Sequence, residues 1–262
     1  MEAREVTSIA DRLIEGRKSR KPMDVAGLLA PLSEADSYKV QFAVHDRLAA
    51  AGDRLAGWKV ALTLPTQYEP LKLSGPVFAG IYQSGLRQSG AVFDAGYPLK
   101  PGIEPELVVK IGKDAAAGGS KHTADSIRGH IAQVWCGMEL VDNRYADVTK
   151  MSGPARVADN VLQAALVTGT EIKDWQKLDF PNLKGRSLLD GKELASGPGS
   201  AVMGAMPISL AWLANKLNEH GKMLKAGDLV LTGSVHPPAF LPGTGVARTE
   251  FVGLGGTEVT IK

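Results

Sequence analysis

The chain has 262 residues, of which 44% are hydrophobic and 22% are charged. This composition is typical of a folded globular protein and excludes disorder as the main state. Its 30 Lys and Arg residues nearly balance its 28 Asp and Glu residues, and the formal net charge of +2 argues against binding to nucleic acid or to an anionic membrane through a strong bulk field. The single cysteine, Cys136, cannot form an internal disulfide, which favours a reduced, cytoplasmic location.

No apolar run approaches the roughly 18 residues that a membrane-spanning helix needs, and the charged first residues are unlike a signal peptide. The first 56 residues predict a helical region. Apolar residues at helical spacing in Val6–Ile14 indicate one helix, and the basic run Arg17–Lys21 is interpreted as its solvated end. Ser33 is a suitable N-cap for a second helix, whose buried face includes His45 as a packed side chain and not as a ligand.

From Gly57 onwards, short apolar segments separated by Gly and Pro predict strands and turns. Thr123–Gln133 is expected to be a helix between two strands, and Pro207 suits the first turn of another helix. Leu189–Lys192 contains the Asp-Gly pair of a tight hairpin. The predicted strands are Trp58–Thr63, Val77–Tyr82, Ile103–Ile111, Val134–Val141, Ala165–Thr168 and Leu229–Thr232, followed by a hairpin at the C-terminus.

The order of these elements predicts the fold class. Strands do not alternate regularly with helices, which makes a doubly wound parallel sheet an unsuitable interpretation. We therefore predict an α+β fold with a boundary near residue 56, between a helical region over residues 1–56 and a strand-rich region over residues 57–262. A β-sandwich is the alternative architecture.

Two glutamates on one predicted strand are the first candidates for chemistry. Alternate apolar side chains of Ile103–Ile111 fill one face of this strand, so Glu104 and Glu106 project together from the other face. A solvated strand face is the simpler interpretation of such a pair. Neighbouring carboxylates nevertheless repel each other and raise each other's pKa unless a cation lies between them.

A third glutamate, Glu139, lies in the almost wholly apolar strand Val134–Val141. A carboxylate buried there is costly unless it is paired or bound to a metal. Three carboxylates without an adjacent arginine suit a hard divalent ion such as Mg²⁺ or Mn²⁺. An ion pair of Glu139 with Lys59 or with Arg144 is the alternative interpretation.

Three further segments could contribute to a site. Lys59 is flanked by apolar residues, and a half-buried lysine can hold a carboxylate or transfer protons. Asp159 precedes an apolar run, where a capping role is the simpler interpretation. Gly227–Ser234 predicts a strand that ends in a glycine turn, whose backbone N–H groups could meet an anion. A phosphate loop, a zinc-protease motif and a Gly-x-Ser-x-Gly elbow are all absent from the sequence.

Taken in order, these segments resemble the 2-keto-4-pentenoate hydratase / 4-oxalocrotonate decarboxylase family, which belongs to the fumarylacetoacetate hydrolase superfamily. The resemblance extends from about Lys59 to the C-terminus, and the ordered set is more specific than any single motif. It rests on Lys59–Thr63, Ile103–Leu107, Met138–Asp142, Ala158–Asn160, Ala211–Leu217 and Ala226–Ser234.

The resemblance implies a mixed β-roll of the α+β class that binds Mg²⁺ or Mn²⁺. It assigns the metal ligands to the residues Glu104, Glu106 and Glu139, and it implies that Lys59 acts near the substrate carboxylate and the developing enol. We predict that Asp159 assists Lys59 in catalysis. The substrate is expected to contact Ser234 and His236.

The predicted activity is that of a hydro-lyase, which adds water to a 2-hydroxy-2,4-dienoate derived from the meta-cleavage of aromatic rings. A small dienoic acid substrate and a homo-oligomeric assembly follow from the same resemblance. Gly102 stands where family hydratases usually carry an arginine, which leaves the choice between hydration and decarboxylation open. Further alternatives are an acylpyruvate-type C–C hydrolase, a serine hydrolase using Ser234 or Ser152 with His236, and a binding module without activity.

Overall fold

The computed structural model describes residues 1–94, 96–118 and 120–262. Helices make up most of the N-terminal region, and the rest of the chain is dominated by strands, with one long helix packed against them. This arrangement confirms the predicted α+β class and its curled mixed sheet. The helices are α1 (Ala3–Ser19), α2 (Ala26–Leu29), α3 (Glu34–Ala50), α4 (Tyr68–Leu71), α5 (Gly153–Ala158) and α6 (Met206–Glu219).

The strands form two sheets. The larger sheet has the order β2-β1-β10-β5-β6-β7-β3, with β11 paired to β5, and the smaller sheet has the order β4-β13-β12-β8-β9. The strands are β1 (Leu55–Ala61), β2 (Val77–Tyr82), β3 (Leu86–Gln88), β4 (Ala91–Phe93), β5 (Pro101–Ile111), β6 (Ile131–Asp142), β7 (Gln163–Glu171), β8 (Lys184–Leu189), β9 (Lys192–Pro198), β10 (Leu229–Ser234), β11 (Ala239–Phe240), β12 (Gly245–Phe251) and β13 (Gly255–Ile261).

The long antiparallel strands β5 and β6 lie at the centre of the larger sheet. On one side β10 pairs with β5, and β1 then pairs with β10 in parallel. Every strand predicted from the sequence overlaps one of the observed strands, and β2 has the predicted bounds. The central position of β5 and β6 means that residues on one face of them lie deep in the molecule.

The N-terminal helices are fixed against the strand-rich region by a common apolar cluster. The Oγ of Ser33 accepts a hydrogen bond from the N–H of Asp36 at 3.1 Å, as expected of the N-cap of α3. Helices α1 and α3 pack against each other and bury side chains beside Val141 on β6 and Tyr145 in the segment after it. His45 on α3 is 4% exposed, in agreement with its predicted place on the buried face.

The prediction of a helix over Thr123–Gln133 is wrong. This segment contains a short 3-10 turn at Ser126–His130, and β6 already begins at Ile131. Gly129 weakens helix propensity in the middle of the segment, while Ile131 joins the ladder by pairing with Ile111 on β5. Tertiary pairing therefore overrides a local apolar spacing that resembles a helix.

The tight hairpin predicted from the Asp-Gly pair is confirmed. Asp190 and Gly191 connect β8 and β9 with φ angles of 48° and 78°, the left-handed conformations that a tight hairpin of this type needs. Gly221, with a φ of 66°, follows the last turn of α6. In the part of the chain that the structure describes, no helix combines the length and the apolar character that crossing a membrane requires.

Candidate metal and substrate site

The pairing of β5 with β6 brings three glutamates together. Glu104 lies directly opposite Glu139 in the ladder, and Glu106 lies opposite Gly137. One carboxylate oxygen from each of Glu104, Glu106 and Glu139 lies within 4.8 Å of the others. Glu106 and Glu139 are each 1% exposed, whereas Glu104 is of intermediate exposure. The structure thus gathers the three predicted ligands in one buried cluster.

A break in the neighbouring strand supports Glu106. The pairing of β10 with β5 shifts register between Leu231 and Ser234, and Gly233 in this bulge has a φ of 110°, which favours glycine. Its backbone N–H donates to Glu106 Oε2 at 2.7 Å. The glycine turn predicted to meet an anion does so, and the anion is the Glu106 side chain.

Lys59 on β1 lies beside the cluster and is 1% exposed. Its Nζ donates to Glu139 Oε1 at 2.5 Å and to the carbonyl oxygen of Val161 at 2.8 Å. The ion pair considered as an alternative from the sequence is therefore present with Lys59. Arg144, the other candidate partner, lies against Asp159 instead.

The cluster carries more negative charge than its protein neighbours neutralise. Three carboxylates beside one lysine leave two negative charges when all groups are ionised. Burial, together with repulsion from Glu139, raises the pKa of Glu104 to about 8. Burial and the charges of Glu139 and Glu104 raise the pKa of Glu106 well above its ordinary value. A divalent cation would balance these charges, and carboxylate oxygens are the ligands that hard cations prefer. The residues present fit such an ion.

An unusual turn presents the Val161 carbonyl to Lys59. Asn160, Val161 and Leu162 have φ angles of 60°, 48° and 62°, a left-handed conformation that is costly for a β-branched residue. The Asn160 side chain secures this turn: Nδ2 donates to the Gly80 carbonyl and Oδ1 accepts from the Gly80 N–H, both at 2.8 Å. His45 Nε2 lies 3.0 Å from the same Oδ1. These buried contacts offset the strain.

Asp159, which precedes this turn, lies in a buried ion cluster. Its carboxylate accepts hydrogen bonds from Arg17 Nε at 2.9 Å, Arg144 Nε at 2.8 Å and Tyr145 Oη at 2.7 Å. Burial alone would raise the pKa of Asp159, but Arg144, Arg17 and the Tyr145 hydroxyl outweigh this effect, and the pKa lies below its ordinary value. The basic run Arg17–Lys21 was interpreted as a solvated helix end. For Arg17 this interpretation is wrong, because its guanidinium reaches from α1 to the buried Asp159.

One cavity of about 230 Å³ connects the predicted site residues, with the exception of Asp159. Apolar side chains form much of its wall, and two prolines follow His236 along one side. It is lined by Lys59–Leu64, Gln67, Glu104, Glu106, Glu139, Val141, Val148, Arg156, Val161, Leu162, Ser234, His236–Pro238 and Phe240. Asp159 is not among these residues, so the structure places its carboxylate behind the wall and not in contact with the cavity.

Ser234 and His236 line the cavity but do not form a nucleophilic pair. The Ser234 hydroxyl donates to the His236 carbonyl oxygen at 2.7 Å. The His236 ring is held by the Pro237 carbonyl oxygen, 2.6 Å from Nδ1, and by the Ser187 hydroxyl, 3.1 Å from Nε2. Burial lowers the pKa of His236, and a neutral ring that donates through Nδ1 accepts through Nε2.

The serine hydrolase alternative lacks its geometry. Ser187, the serine that His236 contacts, is 0% exposed and so is closed to substrate. Ser152 caps α5 by accepting a hydrogen bond from the Ala155 N–H. Two serines, Ser152 and Ser234, were considered as nucleophiles from the sequence. Among the described contacts, neither hydroxyl forms a hydrogen bond with the His236 ring.

Sequence reasoning missed two contributors to this region. The role of the Val161 carbonyl could not be predicted, because its direction depends on left-handed backbone angles at Asn160–Leu162. These positions contain no glycine that would have indicated such a conformation. Arg156 lines the cavity from α5. A usable signal for it was present, since it is a lone cation among the small apolar residues of Pro154–Ala158.

Comparisons with known proteins agree with the resemblance inferred from the sequence. Residues 80–262 match the family described as fumarylacetoacetate (FAA) hydrolase C-terminal. The chain is 29% identical over 258 residues to a 2-keto-4-pentenoate hydratase of Paraburkholderia phymatum, covering 97% of each chain. It is 28% identical over 225 residues to a 4-oxalocrotonate decarboxylase of Pseudomonas putida, covering 86% of this chain and 84% of that protein.

A solved structure shows the same fold. It is the 4-oxalocrotonate decarboxylase from Pseudomonas putida G7 complexed with magnesium and adipate, which superimposes with a TM-score of 0.91 at 23% identity. The match covers 100% of this chain and 99% of that chain. The β-roll predicted from the sequence is confirmed over the whole length, and the β-sandwich alternative is set aside.

Proposed function

Because the chain belongs to the fumarylacetoacetate hydrolase family, we propose that it is a divalent-metal-dependent lyase that adds water to a 2-hydroxy-2,4-dienoate. The observation that carries this proposal is the cluster of three glutamates, two of them buried, beside Lys59 in one partly apolar cavity. The names of the relatives, a hydratase and a decarboxylase, support the predicted class of enzyme and its place in the catabolism of aromatic compounds.

Glu104, Glu106 and Glu139 would hold the cation, which we propose to be Mg²⁺ or Mn²⁺. When bound, such an ion acts as a Lewis acid that stabilises negative charge on the oxygen of an enolate, an effect worth several kcal/mol. The Gly233 N–H holds the Glu106 carboxylate and the Lys59 ammonium group holds that of Glu139. Two of the three carboxylates are therefore fixed before substrate arrives.

Lys59 is proposed to transfer protons. Its ammonium group has three N–H donors, of which two are occupied by Glu139 and by the Val161 carbonyl. The third can reach the cavity that Lys59 lines. During conversion of 2-hydroxypenta-2,4-dienoate to its keto form, the 2-hydroxyl loses a proton and C5 gains one. Water then adds, with its hydroxyl on C4 and a proton on C3, to give 4-hydroxy-2-oxopentanoate.

Asp159 is proposed to support Lys59 without touching substrate. Its carboxylate holds Arg17, Arg144 and Tyr145, and its backbone leads directly into the turn whose Val161 carbonyl binds Lys59. Asp159 is thus a positioning residue.

Of the two predicted substrate-binding residues, Ser234 offers a hydroxyl at the cavity wall. His236 contributes its shape, because both of its ring nitrogens are engaged.

Decarboxylation of a 4-oxalocrotonate-type acid is the second candidate. The same cavity and the same stabilisation of an enolate would serve it, with a carboxylate leaving as CO₂ instead of water adding. The fold shared with a decarboxylase structure is consistent with this second candidate reaction.

The test is to incubate the Mg²⁺-loaded protein with 2-hydroxypenta-2,4-dienoate and, separately, with 4-oxalocrotonate. Loss of dienol absorbance, the products by NMR and the release of CO₂ are followed together. The proposal expects 4-hydroxy-2-oxopentanoate without CO₂, and it expects EDTA to abolish turnover. Turnover that is unaffected by EDTA would contradict a metal-dependent lyase. Release of CO₂ from the second acid, with no hydration of the first, would favour the decarboxylase.

We also propose that residues 57–262 form the catalytic region and that residues 1–56 form a helical region attached to it. Each residue that lines the cavity falls between Lys59 and Phe240, which supports this division.

A homo-oligomeric state and a cytoplasmic location stay predictions from the sequence. Sedimentation equilibrium tests the first, since a purely monomeric protein at micromolar concentration would contradict it.

A further inference from the structure

A second cavity, of about 380 Å³, lies beside helix α1 and shares no lining residue with the cavity that contains the glutamates. The C-terminal part of α1 forms one portion of its wall. Strands of the larger sheet form another, through Tyr82 at the end of β2, Asp142 at the end of β6 and Gln163 at the start of β7. A volume of this size is usual for sites that bind small molecules.

Two buried polar groups on this wall have no hydrogen-bond partner. Tyr82 and Gln163 are 5% and 2% exposed, and in the described parts of the chain neither Tyr82 Oη nor Gln163 Nε2 forms a hydrogen bond. Burial raises the pKa of Tyr82 to about 12, so its hydroxyl stays protonated at neutral pH. Both groups can donate a hydrogen bond. Because a buried donor without an acceptor is unfavourable, these two groups favour a ligand that brings an acceptor.

The side chains that line this second cavity are positively charged overall. Four cations line it against two carboxylates, namely Arg17, Lys18, Arg20 and Arg144 against Asp53 and Asp142. Asp159 pairs with Arg17 and Arg144, which still leaves one net positive charge when all these groups are ionised. Over residues 1–94, 96–118 and 120–262, no carboxylate forms an ion pair with Lys18 or Arg20. An excess of positive charge in a cavity favours an anionic ligand.

Apolar side chains complete the wall of the second cavity. Ile14, Leu48, Leu99 and Ala164 line it, and so does the ring of Tyr97, whose centroid lies 5.6 Å from the Arg20 guanidinium. A largely apolar wall with a few polar groups is the usual composition of a small-molecule site. It suits an anion that carries a hydrocarbon body better than it suits a bare inorganic anion.

We propose that the second cavity binds a small monocarboxylic acid with an apolar body, independently of the divalent cation. The carboxylate would accept hydrogen bonds from Tyr82 and Gln163, and the surrounding cations would stabilise its charge. The hydrocarbon body would lie against the apolar part of the wall. No residue of the glutamate cluster takes part, so this proposal can fail without affecting the proposed function.

Calorimetric titration of benzoate tests the proposal. It is carried out on the Mg²⁺-loaded protein and on metal-free protein from which the EDTA has been dialysed away. We expect one equivalent of benzoate whose Kd changes less than about threefold when the metal is removed. Benzamide has nearly the same size without the charge, and it should bind at least roughly 10-fold more weakly, since its hydrogen bonds lose charge assistance. Inorganic phosphate, which has no apolar body, should also bind at least roughly 10-fold more weakly.

Three variants locate the bound acid. Tyr82→Phe removes only a hydroxyl without a partner, so it should weaken benzoate roughly 10-fold without lowering the melting temperature. Gln163→Leu should weaken benzoate by a similar factor, and it provides the test if Tyr82→Phe fails to fold. Lys192→Met replaces an exposed cation on β9 that does not line the cavity, and it should leave the benzoate affinity unchanged.

Several results would overturn the proposal. Metal-free wild type that binds no benzoate, or that binds benzamide as tightly, would contradict a carboxylate site. Benzoate affinity that is unchanged in both Tyr82→Phe and Gln163→Leu would show that the acid binds elsewhere. Phosphate that binds as tightly as benzoate would contradict the organic acid as the ligand class. Mn²⁺ binding and dienoate turnover, which test the proposed function, are measured separately from all of these.

Discussion

At the scale of single residues, Lys59 is paired with Glu139 and is proposed to transfer protons. Without a cation, Lys59→Met leaves Glu139 buried and unpaired, which should cost about 3–5 kcal/mol of folding stability. In saturating Mg²⁺ the cation would offset two of the three carboxylate charges, so the loss of stability should be smaller than in the metal-free protein. Turnover should still fall by about 10²- to 10⁴-fold, the usual effect of removing a general acid–base group.

Melting temperature and turnover measured on the same samples, with Mg²⁺ and with EDTA, separate these effects. Lys110→Met, on β5 of the same sheet, is the matched control and should change neither quantity appreciably. A Lys59→Met protein that is unfolded even in saturating Mg²⁺ would show that Lys59 is mainly structural.

Asp159 is expected to matter for stability over a defined pH range. Asp159→Asn removes the charge that Arg144 and Arg17 share, and it should cost about 3–5 kcal/mol at pH 7. The folded-state pKa of Asp159 lies below its ordinary value of 3.8. Its stabilisation is therefore complete above about pH 4 and is lost as the pH falls through the folded pKa. Urea denaturation should show a constant gap between wild type and variant from pH 5 to 8, which narrows in acid.

The exposed Asp174, whose side chain is 79% exposed, provides the control. Asp174→Asn should leave the denaturation midpoint almost unchanged. A gap for Asp159→Asn that is as large at pH 2 as at pH 7 would mean that the contribution does not come from the ionised carboxylate.

At the scale of elements, the left-handed turn Asn160–Leu162 depends on the Asn160 side chain. Asn160→Ala removes two hydrogen bonds to Gly80 and the contact with His45. Leaving such buried groups unsatisfied should cost at least roughly 2 kcal/mol. Because the turn holds the Val161 carbonyl against Lys59, we also expect kcat to fall more than KM changes.

Kinetics and urea denaturation of Asn160→Ala, beside the surface variant Asn182→Ala, check this expectation. Loss of stability with an unchanged kcat would show that the turn does not position Lys59. The distinction is informative because a purely structural contact would lower the urea denaturation midpoint without altering the kcat of the folded enzyme.

The elements themselves were largely predictable from the sequence. Alternation in Ile103–Ile111 and the apolar run Val134–Val141 specified β5 and β6, because side-chain period and burial are local properties. The false helix over Thr123–Gln133 arose where a local pattern competes with pairing to a distant strand. The opposition of Glu104 and Glu139 depends on strand register, which a single sequence does not determine. The resemblance implied only that these glutamates bind the same metal ion.

At the scale of the whole molecule, the contacts that complete the site join distant parts of the chain. Arg17 and Asp159 are separated by 142 positions and Lys59 and Glu139 by 80. Hydrophobic patterns carry no information on such pairs, so the residues Lys59 and Glu139 could be nominated but the environment of Asp159 could not. The fold thus links α1 to the turn beside Lys59.

The increase in melting temperature that Mg²⁺ produces should depend on pH, because the pKa of Glu104 is raised in the metal-free protein. In the metal-free protein the pKa of Glu104 is raised from its ordinary 4.5 to about 8. A raised carboxyl pKa gives stability that is present below pH 4.5 and is lost as the pH rises through about 8. The metal-free protein should therefore weaken across this range, and the increase in melting temperature on adding Mg²⁺ should be larger at pH 8 than at pH 5.5. A pH-independent increase would contradict the buried cluster.

The most direct measurement is a calorimetric titration of Mn²⁺ into wild type, Glu106→Ala and Glu258→Ala. Glu258 lies on β13 with its side chain 48% exposed, and its replacement is the control for loss of a strand glutamate outside the cavity. If Glu104, Glu106 and Glu139 together hold one divalent cation, wild type and Glu258→Ala should bind one equivalent with similar affinity. Glu106→Ala should then bind at least roughly 10-fold more weakly, since it loses a charged ligand. Equal binding by wild type and Glu106→Ala would contradict the metal site and with it the proposed chemistry.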